Sequence, residues 1–528
     1  MFWGMPRESS LDGASFAGAK PAATVQPIHG AAPLAGRHAG RIAAPLAAIV
    51  AVFVVAIVLR GVLPFNSDVG WWLTVCERML DGQRLYIDIL ETNPPMAGAV
   101  YMLGAIAARV VHLRPEPVTN ALIFSLVAAS LALAWRAVRM SSLRELAGGG
   151  VAAWAAAVLT ILPMYDFGQR EHLALILFLP ALAVYMLRAN GERVTASAFV
   201  VAGLCAAITM SMKPYFVFGA GSCILAAAVQ ARDWRVLFAP ENWIAGALVV
   251  LHSLCIAVFY PEYFTLIYPL VRDVYLLLKA PFVAILMTSA TMLWLLTMLV
   301  VLALQRRRPK ADGAVLVMMA GSFGFAVSFF LQAKGWGYHA YPMVALGLLA
   351  AGWAIAVDHQ DEGSRPQRAG AMLVVALIFA NACAWFNVSV NTRKIQEAVA
   401  RLGPQPKILM LGGASVIGHP MVLEIGRVWV SRQGAFWVRE IAQRALKDGS
   451  VDPAMADRIA GHVARERAGL IEDFTKHVPD VVLVDHRGGD WGNWAAADPE
   501  LSGLLKDYAP VRTIDGIEIL RRIDQARS

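Results

Sequence analysis

Five groups of polar residues interrupt an otherwise apolar chain of 528 residues. They are Asp68; Asp88 and Glu91 before Asn93-Pro94-Pro95; Tyr165 and Asp166 through Gln169, Arg170, Glu171 and His172; Lys213-Pro214-Tyr215; and Lys334 through Trp336, Tyr338 and His339. Two chemistries are available to them. A carboxylate such as Asp68 or Asp166 can take a proton from an attacking hydroxyl, work that contributes about 10²–10⁴-fold to a rate. Arg170, His172, Lys213, Lys334 and His339 stand near expected helix starts. Free backbone N–H groups and the positive helix end there reinforce basic side chains, a combination that suits a phosphate or pyrophosphate.

Each of these residues also has a plainer role open to it. Asp68 suits a helix N-cap, Asp166 a turn, and Glu171 the favourable first turn of a helix. Lys213 can anchor a span by reaching to the interface. Asp88 and Glu91 fit solvated loop charges.

The elements that must position these groups are membrane helices. The chain is 58% hydrophobic and 16% charged, with a mean hydropathy of +0.56, against about 25% charged in ordinary soluble domains. Apolar runs recur between Ile42 and Val388, of the roughly 20 residues needed to cross a bilayer. This excludes a disordered chain, a collagen-like fibre and a disulfide-stapled module, and it argues against a compact soluble enzyme. The net charge of +8 does not predict a nucleic-acid partner, because the Lys and Arg residues cluster in short loops, where they set membrane orientation. The five cysteines form no disulfide framework or zinc motif.

Residues 1–41, rich in Ala, Gly and Pro, read as a disordered cytoplasmic tail. A first span follows over Ile42–Leu63. From Asp68 to Asp81, the apolar residues Val69, Trp72, Leu73, Cys76, Met79 and Leu80 share one helix face. That segment is too polar to span and reads as a helix lying in the outer interface.

Charge decides whether Pro95–His112 spans as well. If it is interfacial or re-entrant, the inner loops hold Arg136, Arg139, Arg144, Arg188, Arg193, Arg232, Arg235, Arg306, Arg307, Arg308, Lys310, Arg365 and Arg368. The outer loops then hold only Arg170, Lys213, Arg272, Lys279 and Lys334, as the positive-inside rule requires. About eleven spans result within 42–390, and all the polar groups above fall on the outer side. Residues 391–528 lie outside as a small α/β domain. Its strands are read at Lys407–Leu411, Val428–Val430 and Val481–Asp485, and a hairpin turns at Asp515-Gly516.

Other motifs are weak or missing. Leu411–Gly418 lacks the G-x-G-x-x-G spacing of a dinucleotide site and reads as a plain βα turn. His252, inside an apolar run, reads as a packed histidine. No P-loop, H-E-x-x-H or G-x-S-x-G occurs.

The first outer loop, with Asp68, Gly82-Gln83-Arg84-Leu85-Tyr86, Asp88, Glu91-Thr92-Asn93-Pro94-Pro95 and Tyr101, resembles that of the GT-C glycosyltransferases, membrane enzymes that use polyprenyl-phosphate-linked sugars. The resemblance implies a GT-C-like bundle with interfacial helices in the first outer loop and a periplasmic C-terminal domain, in a bacterial inner membrane. It implies transfer of a sugar from a polyprenyl-phosphate donor to a hydroxyl of a cell-envelope glycan or lipid acceptor. Asp68 matches the family's first-loop acid and Asp166 its second-loop acid. Arg170, His172, Lys213, Lys334 and His339 would contact the donor phosphate, with Glu91, Glu171, Tyr215 and Tyr338 lining the substrate. Many members pair acids in the first loop, whereas Asp68 precedes Val69; no cofactor is required, and a divalent cation is left open. Two other readings exist. A lipid-linked glycan flippase should carry polar residues through the midplane and broken, repeated helices. An envelope scaffold would leave the membrane-edge groups without a purpose.

Overall fold

The computed structural model describes residues 34–523 except 309–310, 359–364, 404–405 and 450. The expected tail over 1–41 falls mostly outside the described residues, and helix already begins at Leu34. The principal helices are α1 (Leu34–Val62), α2 (Ser67–Leu80), α3 (Pro95–Val111), α4 (Pro115–Val138), α5 (Gly150–Thr160), α6 (Arg170–Ala189), α7 (Ala196–Met212), α8 (Val217–Ala231), α9 (Pro240–Phe259), α10 (Ser289–Gln305), α11 (Gly313–Gln332), α12 (Tyr341–Asp358) and α13 (Arg365–Phe386). Among the described residues, eight helices are long and apolar enough to cross a membrane. The expected spans at α5, α7 and α10 form as shorter apolar helices of 11, 17 and 17 residues.

Local chemistry sets many of the helix starts. Thr195, Thr288 and Asp312 each accept a backbone N–H at the N-cap, while α3, α4 and α9 begin with proline, whose missing N–H costs nothing there. At the end of the bundle remote from the polar groups, Arg188 at the close of α6 grips the fully buried Glu241 of α9 at 2.9 and 3.0 Å.

The 17-residue α3 packs beside α2. Near the start of α3, Gly98 lies against Trp72, where a Cβ would approach the ring to 2.7 Å. Arg109, in its last turn, contacts Glu77 of α2 and Asp81 just beyond it, each at 2.7 Å. The chain on both sides of α3 touches the C-terminal residues: Leu90 N–H donates to Arg432 O at 2.6 Å, and Arg114 Nη1 donates to Glu424 O at 3.0 Å. A helix whose two flanks meet the same small domain does not carry the chain to the opposite face.

The C-terminal residues form a five-stranded sheet of order β2-β1-β3-β5-β4. β1 (Lys407–Leu411), β2 (Val428–Trp429) and β3 (Val481–Asp485) are parallel; β4 (Tyr508–Ile514) and β5 (Ile517–Arg522) close the sheet as an antiparallel hairpin. Asp515 and Gly516 both take positive φ, 48° and 79°, as a two-residue hairpin turn requires. α14 (Trp437–Lys447) and α15 (Pro453–His477) lie between β2 and β3 in the chain.

Side chains alternate across a strand, and here the two faces enter different cores. Ile408, Met410, Val481 and Leu483 join the apolar cluster that includes α2, α4, α6 and α12. Leu409, Leu411, Val482 and Val484 pack with Phe436, Leu470, Phe474 and Trp491. Ala44–Ser528 is therefore one compact unit. The same docking covers the second face of α2, which its pattern predicted to be solvent- or headgroup-facing. Trp71 stacks edge-on to His419 at 5.2 Å, Gly434 lies beneath its ring, and Thr74 Oγ1 is 3.3 Å from His419 Nδ1.

Candidate active site

The site begins at the start of α2. Asn66, not Asp68, is the N-cap: its Oδ1 accepts from Asp68 N and Val69 N at 3.0 and 3.2 Å. That frees the Asp68 carboxylate. Gln169 reaches across from the second polar loop, its Nε2 lying 2.9 Å from Asn66 Oδ1 and 3.1 Å from Asp68 Oδ2. Two further bonds lace the loops together: Asn66 Nδ2 donates to Tyr165 O, and Ser67 N donates to the Tyr165 hydroxyl, both at 3.1 Å.

Asp166 ends a short 3₁₀ turn, Met164–Asp166, and is buried. Burial, then the negative charges of Asp68 and Glu171, hold its carboxyl well above the usual carboxylate range. It is therefore suited to donate a hydrogen bond, while Asp68 is the acceptor. Arg170, the first residue of α6, is 6% exposed. Its Nη1 donates to Asn93 Oδ1, and its Nε is buried with no partner.

Glu91 shapes the loop that presents Asn93. Its Oε2 accepts from Trp71 Nε1 at 2.7 Å, and its Oε1 from the N–H groups of Thr92 and Asn93 at 2.7 and 3.0 Å. The expectation of a solvated loop charge does not hold for it; Glu91 is a buried fastening.

Asp68, Glu91, Asp166, Arg170 and Tyr338 line one cavity of about 730 Å³. Glu171, Lys213 and His339 form a separate buried cluster. Lys213 Nζ donates to Glu171 Oε1 at 2.7 Å and lies 3.0 Å from His339 Nε2, so this lysine is already paired with a carboxylate.

His172, Lys334 and Tyr215 do not line the cavity. His172 Nδ1 accepts from Gly168 N at 2.9 Å while Nε2 donates to Leu159 O at 2.7 Å, which fixes a neutral ring as a clasp for the 160s loop. Lys334 donates to Tyr275 O at 2.7 Å and also to Leu278 O, and sits 4.1 Å over the Tyr275 ring. Burial, and then the like charges of Lys279 and Lys213, push it down to about 8. Tyr215 accepts from Ser328 Oγ at 2.6 Å through its main-chain oxygen.

The cavity has a wall that the sequence did not announce. Gln433, Trp437, Glu440 and Arg444 of the C-terminal residues line it together with Tyr275, Trp336 and Trp385. Gly413 belongs to the turn after β1, where a Cβ would fall 1.9 Å from Glu440 Oε2. Asn93 and Gln169, quoted within their clusters but given no role, prove to be the partners of Arg170 and Asp68. Among the described residues, no group of three or more His, Cys, Asp or Glu side chains could hold a metal ion.

The fold and site define a polytopic helical membrane protein with a polar cavity between its bundle and a C-terminal α/β sheet, a fold it shares with solved structures. Among solved structures, the chain is similar to ArnT from Cupriavidus metallidurans bound to undecaprenyl phosphate: 14% identity, TM-score 0.53, covering 91% of this chain and 98% of that one. It is similar to the apo state of the same ArnT at 12% identity and TM-score 0.54, covering 93% and 99%. No family model matches the sequence, and no curated protein matches it.

Proposed function

We propose that this protein transfers a sugar from a polyprenyl-phosphate-linked donor to an acceptor hydroxyl at the periplasmic face of a bacterial inner membrane. One observation carries the reading. The first-loop acid Asp68, the buried acid Asp166 and the half-engaged Arg170 line a single cavity, in a fold shared with a protein crystallised with undecaprenyl phosphate.

Asp68 takes the acceptor's proton as the anomeric C–O bond to phosphate breaks and the acceptor oxygen bonds to the anomeric carbon. Gln169 orients that carboxylate. The leaving phosphate needs no proton; the Arg170 guanidinium and the N-terminus of α6 stabilise its charge. Asp166, held protonated, donates a hydrogen bond within the site. Trp336, Trp385 and Trp437 offer ring faces against which sugars pack.

The test uses the purified full chain in nanodiscs with undecaprenyl phosphate and a labelled polyprenyl-phosphate sugar. Saturable undecaprenyl-phosphate binding together with release of polyprenyl phosphate from the donor is the expected result. Absence of both binding and release overturns the reading.

A further inference from the structure

A second cavity, of about 310 Å³, lies between the end of α1 and the start of α4, and the reaction above uses none of its charges. Arg60, Asn66, Arg114, Glu116, Asn120 and Glu424 are among its lining residues. Glu116 is only 4% exposed, and both of its carboxylate oxygens are buried with no hydrogen-bond partner from another residue. Arg60 is in the converse position. Its Nη1 donates to Met164 O and its guanidinium lies 4.8 Å over the Phe167 ring, while Nε and Nη2 are buried with no hydrogen-bond partner. Arg114 spends Nη1 on the main-chain oxygen of Glu424.

Opposite charges thus line one small space without closing on each other. Buried ionic groups left this way are costly, because nothing replaces the water they have lost. A ligand of one sign would satisfy half of the set and leave the other half stranded. A ligand carrying an anion and a hydrogen-bonding cation a short distance apart satisfies both.

The surroundings point to a lipid as the source. On α1, Ile57, Val58 and Val62 are 54%, 62% and 74% exposed, and Leu122 on α4 is 39% exposed. These apolar surfaces, on the two helices that border the cavity, are suited to acyl chains.

We infer that this cavity holds the headgroup of an aminophospholipid, with the phosphate on Arg60 and the primary ammonium on Glu116. An ammonium with N–H donors fits Glu116, whose two oxygens only accept, better than a quaternary one, which has none. Asn66 lines this cavity and the active one alike. The headgroup therefore sits behind the residue that caps α2 and shares Gln169 with Asp68.

The experiment is lipid retention by the purified full chain, read by native mass spectrometry after exchange into vesicles of phosphatidylethanolamine, phosphatidylcholine or phosphatidylglycerol. Phosphatidylethanolamine should be held about 10-fold or more above the other two, the scale of a charge-assisted hydrogen bond. Glu116→Gln should reduce that preference to about twofold or less, and Arg60→Gln should weaken phosphatidylethanolamine and phosphatidylglycerol alike. Unchanged thermal unfolding identifies variants that fold, and if Arg60→Gln does not fold, the parent's selectivity and the isosteric Glu116→Gln decide. Equal retention of the three lipids by the parent overturns the inference, as does a Glu116→Gln variant with intact selectivity. Soluble glycerophosphoethanolamine binding as tightly as the lipid would overturn the lipid source. None of these readouts depends on sugar transfer, so this inference and the proposed reaction can fail separately.

Discussion

Gln169 Nε2 stands 3.1 Å from Asp68 Oδ2, although the two residues belong to different loops of the bundle. The same nitrogen lies 2.9 Å from Asn66 Oδ1. A primary amide has two hydrogens, so one can serve each acceptor. The Asp68 carboxylate is thereby aimed with one oxygen tied.

Asp68→Asn retains the size of the side chain and removes its basicity. The expected result is a fall of about two orders of magnitude or more in transfer rate, with undecaprenyl-phosphate binding and thermal unfolding unchanged. Gln169→Ala should cost about 10-fold, less than loss of the base itself, because it loosens only the aim. Single-turnover kinetics on both variants checks the order.

Lys213 and Glu171 should behave as a structural pair. The Glu171 side chain is fully buried, and removing one partner from a buried ion pair costs about 3–5 kcal/mol. Lys213→Met alone is expected to lower the unfolding midpoint clearly, whereas Lys213→Met combined with Glu171→Gln should regain much of the loss. A double variant as unstable as the single one would show that the two side chains do not act on each other.

Asp166 predicts a pH dependence. Its native carboxyl holds a proton well above the usual range, chiefly through burial and then through Asp68 and Glu171. Between the ordinary carboxylate pKa and that raised value, the native chain binds a proton that the unfolded chain has released. Stability therefore falls as pH rises through this window. Asp166→Asn resembles the protonated acid and should flatten the slope, measured as unfolding midpoint against pH from about 4 upwards.

Gly337 marks the free volume of the cavity. A Cβ there would lie 3.5 Å from Trp385 Nε1 and 3.8 Å from Asp166 Oδ2, ordinary contact distances. Gly337→Ala should be close to neutral. Gly337→Leu should fill space beside Asp166 and raise KM about 10-fold or more, with a much smaller change in unfolding midpoint; steady-state kinetics distinguishes the two.

Orientation is testable with fusions. A reporter active only in the periplasm should work after Ser528 and fail after Arg307, because the basic loops mark the cytoplasmic side. The reverse pattern would invert every assignment of face.

Much of this molecule was written locally. Hydropathy runs located the membrane helices, because burying backbone in lipid demands helices of bilayer length. Short apolar runs and the Asp515-Gly516 turn located the strands, since a strand buried on both faces reads as a continuous apolar run and positive φ is a property of neighbouring residues. The exceptional acids and cations at the helix ends were also visible, as isolated charges in apolar sequence always are.

Which of those charges face one another was not visible. Lys213 reads as an anion ligand until Glu171 and His339 close around it, and His172 until Gly168 and Leu159 take both its nitrogens. Asp68 reads as a helix cap until Asn66 takes that place. The wall built by Gln433, Trp437, Glu440 and Arg444 has no sequence signal at all, because α14 is an ordinary amphipathic helix. It reaches the cavity only when one face of the sheet packs against the core that includes α2. A hydrogen bond is decided within a few tenths of an ångström between residues remote in the chain. Periodicity and composition fix elements, but only their tertiary packing selects the partners.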